Sequence, residues 1–563
     1  MSGTFNGKTL IISATPTDGA KIPDKNATNV AGIAIVGSDM YCVKTTGLKT
    51  TLYKTTNYTS SSAKVTDIKQ GLNWFALGLT KIGNYLYMLA EDHKGYGGST
   101  TIVKLDTAGN QISTFSITNI CGKSGALGIT AADGTNEKFI IMHYAKDSSA
   151  NTLTFSVVNW GSSKAEKKFT VTNSGYGYTT QLQDIYYHTS YGLFILTNNT
   201  FTTRQNRILV VDYKNTDGSG KNYVPSAVIK VEVKEKYKQY NLESICMKAN
   251  HLVLVSNVVT SDGAAEDRFS VLNGITYDRG MYYFNTGLQE GALVPTKVDP
   301  EHATTNLGCM SFKNGVPYFV KQSNDQVAVL GYSPDYFSTV ESYKKVKTFV
   351  NGTLGHANGM TCYNGKFYIA TAVDNKVVAL DYNTGALDKV YTIKANGYAL
   401  RVTALNYFNG ECLLMSSNAG GKTMELFICT FGTSTSVDAT YIGTISNPLA
   451  AKGLDITQDI FYDSRYGLFV GVCNADTHEM VTTENIMLHY DLSKLNTNLN
   501  PDFGFVTNMP NNNSVREKYN SYELESMAIN KGKMVAVYNT NVSLDSGLAA
   551  RDRFMIYHTI DFI

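Results

Sequence analysis

The chain repeats itself once, and that repeat limits what it can fold into. Gln183-Asp-Ile185 returns as Gln458-Asp-Ile460 and Tyr191-Gly-Leu-Phe194 as Tyr466-Gly-Leu-Phe469, each displaced by 275 positions (458 − 183; 466 − 191). Leu242-Glu-Ser244 returns as Leu524-Glu-Ser526, displaced by 282 (524 − 242). Asp267-Arg-Phe269 matches Asp552-Arg-Phe554, Gly78-Leu-Thr80 matches Gly359-Met-Thr361, and Thr28-Asn29 matches Thr305-Asn306. The drift in offset marks insertions in surface connections. A chain of 563 residues is too long for one ordinary core. The duplication therefore predicts two domains, 1–279 and 280–563.

Each half divides again into units of roughly 50 residues. The clearest runs from Gly359 to Ile393. An Asn364-Gly365 dipeptide, which favours a tight type I′ hairpin, follows Gly359-Met-Thr-Cys-Tyr363. Lys366–Thr371, an Asp374-Asn375 turn, Lys376–Asp381, a Tyr-Asn-Thr-Gly385 turn and Asp388–Ile393 complete four short strands. The same grammar spans Gly78 to Ile117. Five such units per half start near residues 30, 78, 127, 182 and 242, and near 307, 359, 402, 457 and 524. No segment holds an apolar period of 3.6, so the expected class is all-β. Four-stranded units of this length are blades of a β-propeller. Lys8–Ser13 and Gly280–Phe284 precede the two halves, and each is read as completing the last blade of its own half, giving two five-bladed rings. The alternative is one ten-bladed ring. Closure removes a free sheet edge.

Composition then excludes several functions. Lys+Arg 49 against Asp+Glu 47 gives no basic excess, so no nucleic-acid partner is expected. Lys230, Lys234, Lys236 and Lys238 alternate with apolar residues as an exposed strand face does. The cysteines sit in apolar runs with no CxxC, which predicts buried thiols rather than disulfides or zinc. No apolar run approaches membrane-spanning length, so no membrane insertion is expected. Met1–Lys8 lacks the charged start and apolar core of a signal peptide. There is no HExxH or GxSxG. Gly420-Gly-Lys-Thr423 is an incomplete phosphate loop, because Ser416 stands where its first glycine belongs. Asp106–Gly109 and Asp381–Gly385 lack the alternating ligands of a calcium loop and read as turns. No cofactor or metal is expected.

Propellers usually bind at one mouth of the central channel, so polar residues opening each innermost strand are the candidates. In the second half these are Asn306, His356, Asn358, Arg401, Gln458, Asp459, Glu523 and Glu525; in the first they are Asn29, Trp74, Phe75, Gln183, Asp184, Asn241 and Glu243. His356 faces Phe75 across the duplication, so the two mouths are expected to differ. Trp74 beside Asn and Asp suits stacking on a sugar. Asp184 with Glu243, and Asp459 with Glu525, are acidic pairs on adjacent blades that could act as acid with nucleophile or base. Retention of both pairs suits a structural role instead, capping backbone amides or pairing with Arg268 and Arg553.

Gly355-His-Ala-Asn-Gly-Met-Thr361, Thr457-Gln-Asp-Ile460 and Tyr522-Glu-Leu-Glu-Ser526 open successive blades. In these phrases the chain resembles the five-bladed propellers of tail and baseplate receptor-binding proteins from phages of Gram-positive bacteria. The resemblance covers mainly the second half; Trp74-Phe75 replaces the His phrase in the first. It implies binding of cell-wall glycans without cleavage. The expectation is a non-catalytic adhesion protein, virion-borne or extracellular, with a cell-surface glycan as partner and self-association or particle attachment as further contacts. A structural virion or surface-layer subunit, and a glycosidase or polysaccharide lyase, are the alternatives.

Overall fold

The computed structural model describes residues 10–23, 29–92, 98–123, 125–143, 152–172, 181–189, 192–199, 205–213, 220–225, 227–231, 237–248, 251–272, 275–278, 281–285, 288–323, 326–371, 375–418, 420–474, 485–495, 498–507, 519–542 and 552–561. Of the sequence readings, those on Met1–Lys8, Thr28, Tyr191, Lys234, Lys236 and Asp374 lie outside the described residues. The described chain is all-β apart from a few single helical turns. It divides into two compact units, Thr9–Tyr282 and one built on Tyr283–Ile563.

Each unit is a series of antiparallel sheets whose strands follow one another along the chain. The first strands of the sheets are β1 (Asn29–Val36), β2 (Phe75–Ile82), β3 (Ala126–Ala131), β4 (Gln181–His188) and β5 (Tyr237–Lys248) in the first unit. In the second they are β6 (Asn306–Lys313), β7 (Ala357–Tyr363), β8 (Ala404–Phe408), β9 (Ile456–Asp463) and β10 (Tyr519–Asn530). Within the first unit β1 packs on β2, β2 on β3, β3 on β4 and β4 on β5, and β5 returns to β1. In the second, β6 to β10 repeat this cyclic order. The tight hairpins are where the dipeptides put them. Asn314-Gly315, Asn364-Gly365 and Asn409-Gly410 all hold two successive positive φ angles, which Asn and Gly tolerate and other residues resist.

The strand that completes the fifth sheet is one step further along than the alternation suggested. Pro16–Ile22 pairs antiparallel with Ala265–Leu272, and Leu288–Val294 pairs antiparallel with Asp552–Asp561. The preceding strands go elsewhere: Leu10–Ala14 adds in parallel to Ala227–Val231 of the fourth sheet, and Tyr283–Asn285 adds in parallel to Phe503–Val506. Two consecutive strands thus cover the outer edges of two neighbouring sheets, which would otherwise stand open. Apolar alternation alone does not say which edge a strand will join.

The core lies in layers between successive sheets. Tyr53, Cys42 and Ile33 of the first sheet meet Val253, Val255 and Phe269 of the fifth, and Phe367, Ile369 and Val378 meet Cys309, Val320 and Leu330. Where first strands converge, side chains give way to glycine: a Cβ on Gly308 would lie 2.2 Å from the Ala357 carbonyl oxygen, and one on Gly32 would lie 2.3 Å from Leu79 N.

Nine of the ten first strands share a further device. The ladder slips by one residue at Ala31, Leu77, Leu127, Gln183, Gly308, Asn358 and Glu525, and β5 slips likewise at Glu243. In β9 the slip takes in Gln458 and Asp459. A bulge re-aims one side chain without breaking the sheet.

Each ring of contacts is also latched by a buried ion pair. Lys44 Nζ lies 2.6 Å from Asp267, and Lys321 Nζ lies 2.9 Å from Asp552; each pair joins the first and fifth sheets. Lys321 also donates to the Val294 carbonyl at 2.9 Å. Burial alone would drive the lysine toward its neutral form, and the Asp552 charge opposes that. Removing one partner of such a pair strands the other charge. We expect Lys321→Ala to cost about 3–5 kcal/mol in denaturant unfolding, and Lys321→Met with Asp552→Leu to recover most of it. A cost below about 1 kcal/mol for the single change would remove the latch from the account.

Candidate functional site

The duplicated acidic residues do two different jobs. Asp184 is buried and accepts from the Ser244 hydroxyl, and that hydroxyl accepts from Ile33 N at 3.0 Å. Asp459 is buried likewise. It accepts from Ser526 Oγ and from Ile460 N (2.8 Å), while Ser526 Oγ accepts from Met310 N at 3.1 Å. Each aspartate on the fourth sheet is therefore tied through a serine on the fifth to an amide on the first. Burial holds both carboxyls well above the usual aspartate range, against the pull of these hydrogen bonds. Neither aspartate is available to a ligand, so they have the amide-capping role. Arg268 and Arg553 bond elsewhere, Arg268 to Asp18 and Glu266, Arg553 to the Gly291 and Thr339 carbonyls.

The other candidates of the second unit gather around one cavity of about 560 Å3. Asn306, His356, Asn358, Arg401, Gln458, Glu523 and Glu525 all line it, and Asp459 does not. Asn358, on the β7 bulge, donates to the carbonyls of Thr403 (3.0 Å) and Gln458 (3.1 Å), fixing the spacing of three sheets. Gln322 orients the His356 segment: its Oε1 accepts from Ala357 N at 2.7 Å, and its Nε2 lies 3.4 Å from His356 Nδ1. Arg401 is exposed. The turn at Gly420-Gly421, at positive φ, forms more of the wall; the phosphate-loop look-alike is a strand hairpin.

Glu523 and Glu525 share the floor. Both carboxyls are raised above the usual range, chiefly by burial, and the neighbouring Glu523 charge pushes Glu525 further up. Glu523 accepts from Gln458 Nε2 and from the Cys473 thiol at 3.5 Å, and these bonds oppose the effect of its burial. Asn539 Nδ2 donates to Glu525, and Asn539 Oδ1 accepts from Leu307 N at 2.9 Å. Asp455 adds a third carboxylate to the wall.

Cys473, Gln322, Asn539, Thr403 and Asp455 were missed at the level of sequence. Gln322, Cys473 and Asn539 lie on second strands, outside the rule that took only residues opening first strands. For Gln322 and Asn539 a signal existed in the amide residue toward the end of the second strand, which Asn257, the twin of Asn539, repeats.

The first unit has no such cavity mouth among its described residues. Aligning bulges gives the correspondence in three strands: Phe75 stands for His356, Leu77 for Asn358 and Asn241 for Glu523. The bonds from Tyr187 N to Thr130 and from Tyr462 N to Asn406 align β3 with β8, so Gly125 stands for Arg401 and Leu127 for Thr403. Only Asn29, Gln183 and Glu243 keep the chemistry of their twins. Glu243 accepts from Asn257 Nδ2 at 2.8 Å, and burial with the Asp267 charge raises it to about 8. Trp74 is partly buried against the Leu72, Ala76 and Leu86 cluster, and its Nε1 donates to Gln111 at 3.0 Å. A cavity of about 210 Å3 lies in this unit, lined by later residues of the same strands, among them Leu79, Ile129 and Tyr187; none of Trp74, Gln183, Asp184 and Glu243 borders it.

No family model matches the chain, and no curated protein does. Among solved structures it is similar to a glutaminyl cyclase of Myxococcus xanthus (12% identity, 49% of this chain and 97% of that one, TM-score 0.29). It is similar to a GH43_1 enzyme of Xanthomonas citri complexed with xylotriose (11%, 47% and 93%, TM-score 0.34) and to a GH32 beta-fructofuranosidase of Bombyx mori (8%, 76% and 88%, TM-score 0.33). At these identities the likeness is one of fold. The expectation of a non-catalytic adhesion protein is corrected here: the similar structures named above are enzymes, and none of them is a phage receptor-binding protein.

Two titration outcomes follow. A carboxyl raised on folding stabilises fully below its unfolded value and loses that contribution as pH rises through its folded value. For Glu243 the window runs from the ordinary glutamate value of 4.5 up to about 8, so unfolding free energy should decline over it, and Glu243→Gln should flatten the decline. A pH–stability curve identical in the variant would contradict the assignment. Separately, Glu523→Gln removes the charge that raises Glu525, so the Glu525 carboxyl followed by 13C NMR should titrate lower than in the parent.

Proposed function

We propose that the chain is a pair of five-bladed propellers, of which the second is an acid–base hydrolase of glycosidic bonds. The cyclic packing of five first strands within each unit, and the completion of each fifth sheet from within that unit, support the two-ring reading over a single ring of ten. The observation that carries the activity is the Glu523–Glu525 pair on the floor of a polar cavity.

Two neighbouring buried carboxyls, both raised, make a proton donor that keeps its proton to higher pH than a free carboxyl does. In this reading the pair acts as the acid. It protonates the leaving oxygen. Asp455, in the same wall, is the second carboxylate, activating water or attacking the anomeric carbon. Asn306, Asn358 and Gln458 present amides to sugar hydroxyls, in keeping with a carbohydrate ligand like that in the xylotriose complex. Asp459 and Asp184, read from sequence as half of each acidic pair, belong to the frame and not to this chemistry.

The test is hydrolysis of a panel of oligosaccharides by the full chain. Glu523→Gln and Asp455→Asn should each lower kcat by about 100-fold or more while leaving the folded spectrum intact. The rate should fall as pH rises and the raised carboxyls lose their protons. Turnover unchanged in both variants would refute the assignment, as would a folded parent inert on every glycan tested.

A further inference from the structure

The cavity of the second unit is electrically divided. His356 and Arg401 stand on the β7 and β8 sides, whereas Asp455, Glu523 and Glu525 stand on the β9 and β10 sides. Amides lie between and beside them: Asn306, Asn358 and Gln458. The duplication provides an internal control for this division. Where the first unit keeps Phe75, Leu77 and Gly125, the second has His356, Asn358 and Arg401, so two cationic residue types and an amide occupy one sector of the mouth. Across the mouth, Asn241 has Glu523 as its twin. The frame residues do not differ in this way. Asp184 and Asp459, Ser244 and Ser526, and Asn257 and Asn539 are the same residue in both units. The seam side chains are thus kept, whereas these positions at the cavity mouth have changed.

A neutral oligosaccharide needs amides and hydroxyls, and it gains nothing from an exposed guanidinium. An anionic group on the substrate does. Arg presents a rigid fork that takes a carboxylate through two parallel hydrogen bonds, and His356, which lines the same cavity, adds a polar ring nitrogen. The acids on the opposite side would repel a negative group and so fix which end of the substrate faces the floor.

We infer that the cavity selects an acidic sugar, with the substrate carboxylate held at Arg401 and the scissile oxygen turned toward Glu523 and Glu525. This rests on the hydrolase reading for its orientation, but binding alone can test it. The probes are tri-galacturonic acid and xylotriose, titrated calorimetrically into the full-length Glu523→Gln variant so that neither is consumed. The acidic trisaccharide should bind tighter, and its affinity should fall steeply with added salt. Adding Arg401→Gln should weaken it by roughly ten- to hundredfold, the range for a hydrogen bond to a charged group. Arg401→Lys, which keeps the charge and loses the fork, should recover only part of that loss.

Equal or tighter binding of xylotriose, or an acidic affinity indifferent to Arg401→Gln, would overturn the inference while leaving the hydrolase reading in place. Tight, Arg401-dependent binding without turnover of either sugar by the parent would uphold the inference and sink the hydrolase reading. Binding of neither probe by a protein whose fold is verified by circular dichroism would overturn it too.

Discussion

In each unit a buried aspartate reaches across to a serine, and the serine hydroxyl accepts an amide from the sheet beyond. Asp459, Ser526 and Met310 form this stitch in the second unit; Asp184, Ser244 and Ile33 form it in the first. Three sheets are joined by two hydrogen bonds at the level where their first strands come closest. Apolar packing cannot do this there, because the approach is too tight for side chains: a Cβ on Gly128 would lie 3.1 Å from Asp184 Oδ1, and one on Gly359 would lie 3.2 Å from Asp459 Oδ1. A carboxyl is small, and it accepts from several donors at once, so it fits a space into which backbone amides converge. The price is desolvation, which is why both carboxyls stay well above the usual range. The latch pairs Lys44–Asp267 and Lys321–Asp552 act at the same seam from the outer side.

Once the seam is held by residues common to both units, the rim is free to diverge. The bulge makes that possible. It adds a residue to the first strand without shifting the ladder beyond it, so Asn358 and Leu77, or Thr403 and Leu127, can exchange while Gly359 and Gly78 keep their places. Divergence at the mouth of one ring then costs the frame little. The first unit kept apolar residues at Phe75, Leu77 and Leu127, and the second took polar ones. That is the physical basis for placing chemistry in one unit and reading the other as frame.

Much of this was legible in the residues. The duplication, the four-strand grammar and the Asn-Gly turns follow from spacing and φ requirements, which are local. The cluster of His356, Asn358, Arg401, Gln458, Glu523 and Glu525 follows from one rule, that polar residues opening first strands share a mouth. What could not be read was which neighbour each group would find. Lys8–Ser13 and Gly280–Phe284 are strand-like, yet the strands that complete the fifth sheets lie one step further on, because edge choice is a long-range matter. Asp459 and Glu525 are near neighbours by the strand rule, but a bulge separates one into the seam and leaves the other on the floor. Trp74 had the composition of a sugar platform and the position of a packing residue. The phrases that suggested a phage receptor-binding protein include Thr457-Gln-Asp-Ile460 and Glu-Leu-Glu-Ser526, whose Asp459 and Ser526 are seam residues. Short motifs of that kind report a shared frame more readily than a shared ligand.

The strand β10 brings both roles onto consecutive residues. Glu523 and Glu525 face the cavity, Leu524 is buried in the core, and Ser526 belongs to the seam. The two carboxyls are therefore held by the same backbone that packs the fifth sheet on the first and the fourth. Asn539 extends the coupling, since one end of its amide donates to Glu525 and the other accepts from Leu307 on β6. A loosened seam would admit water to the floor, and hydration would bring the raised Glu525 carboxyl back toward its ordinary range. Tight packing of the first strands is thus a condition for that shift, because the low-dielectric environment that raises Glu525 lasts only while Asp459 and Ser526 keep the sheets together.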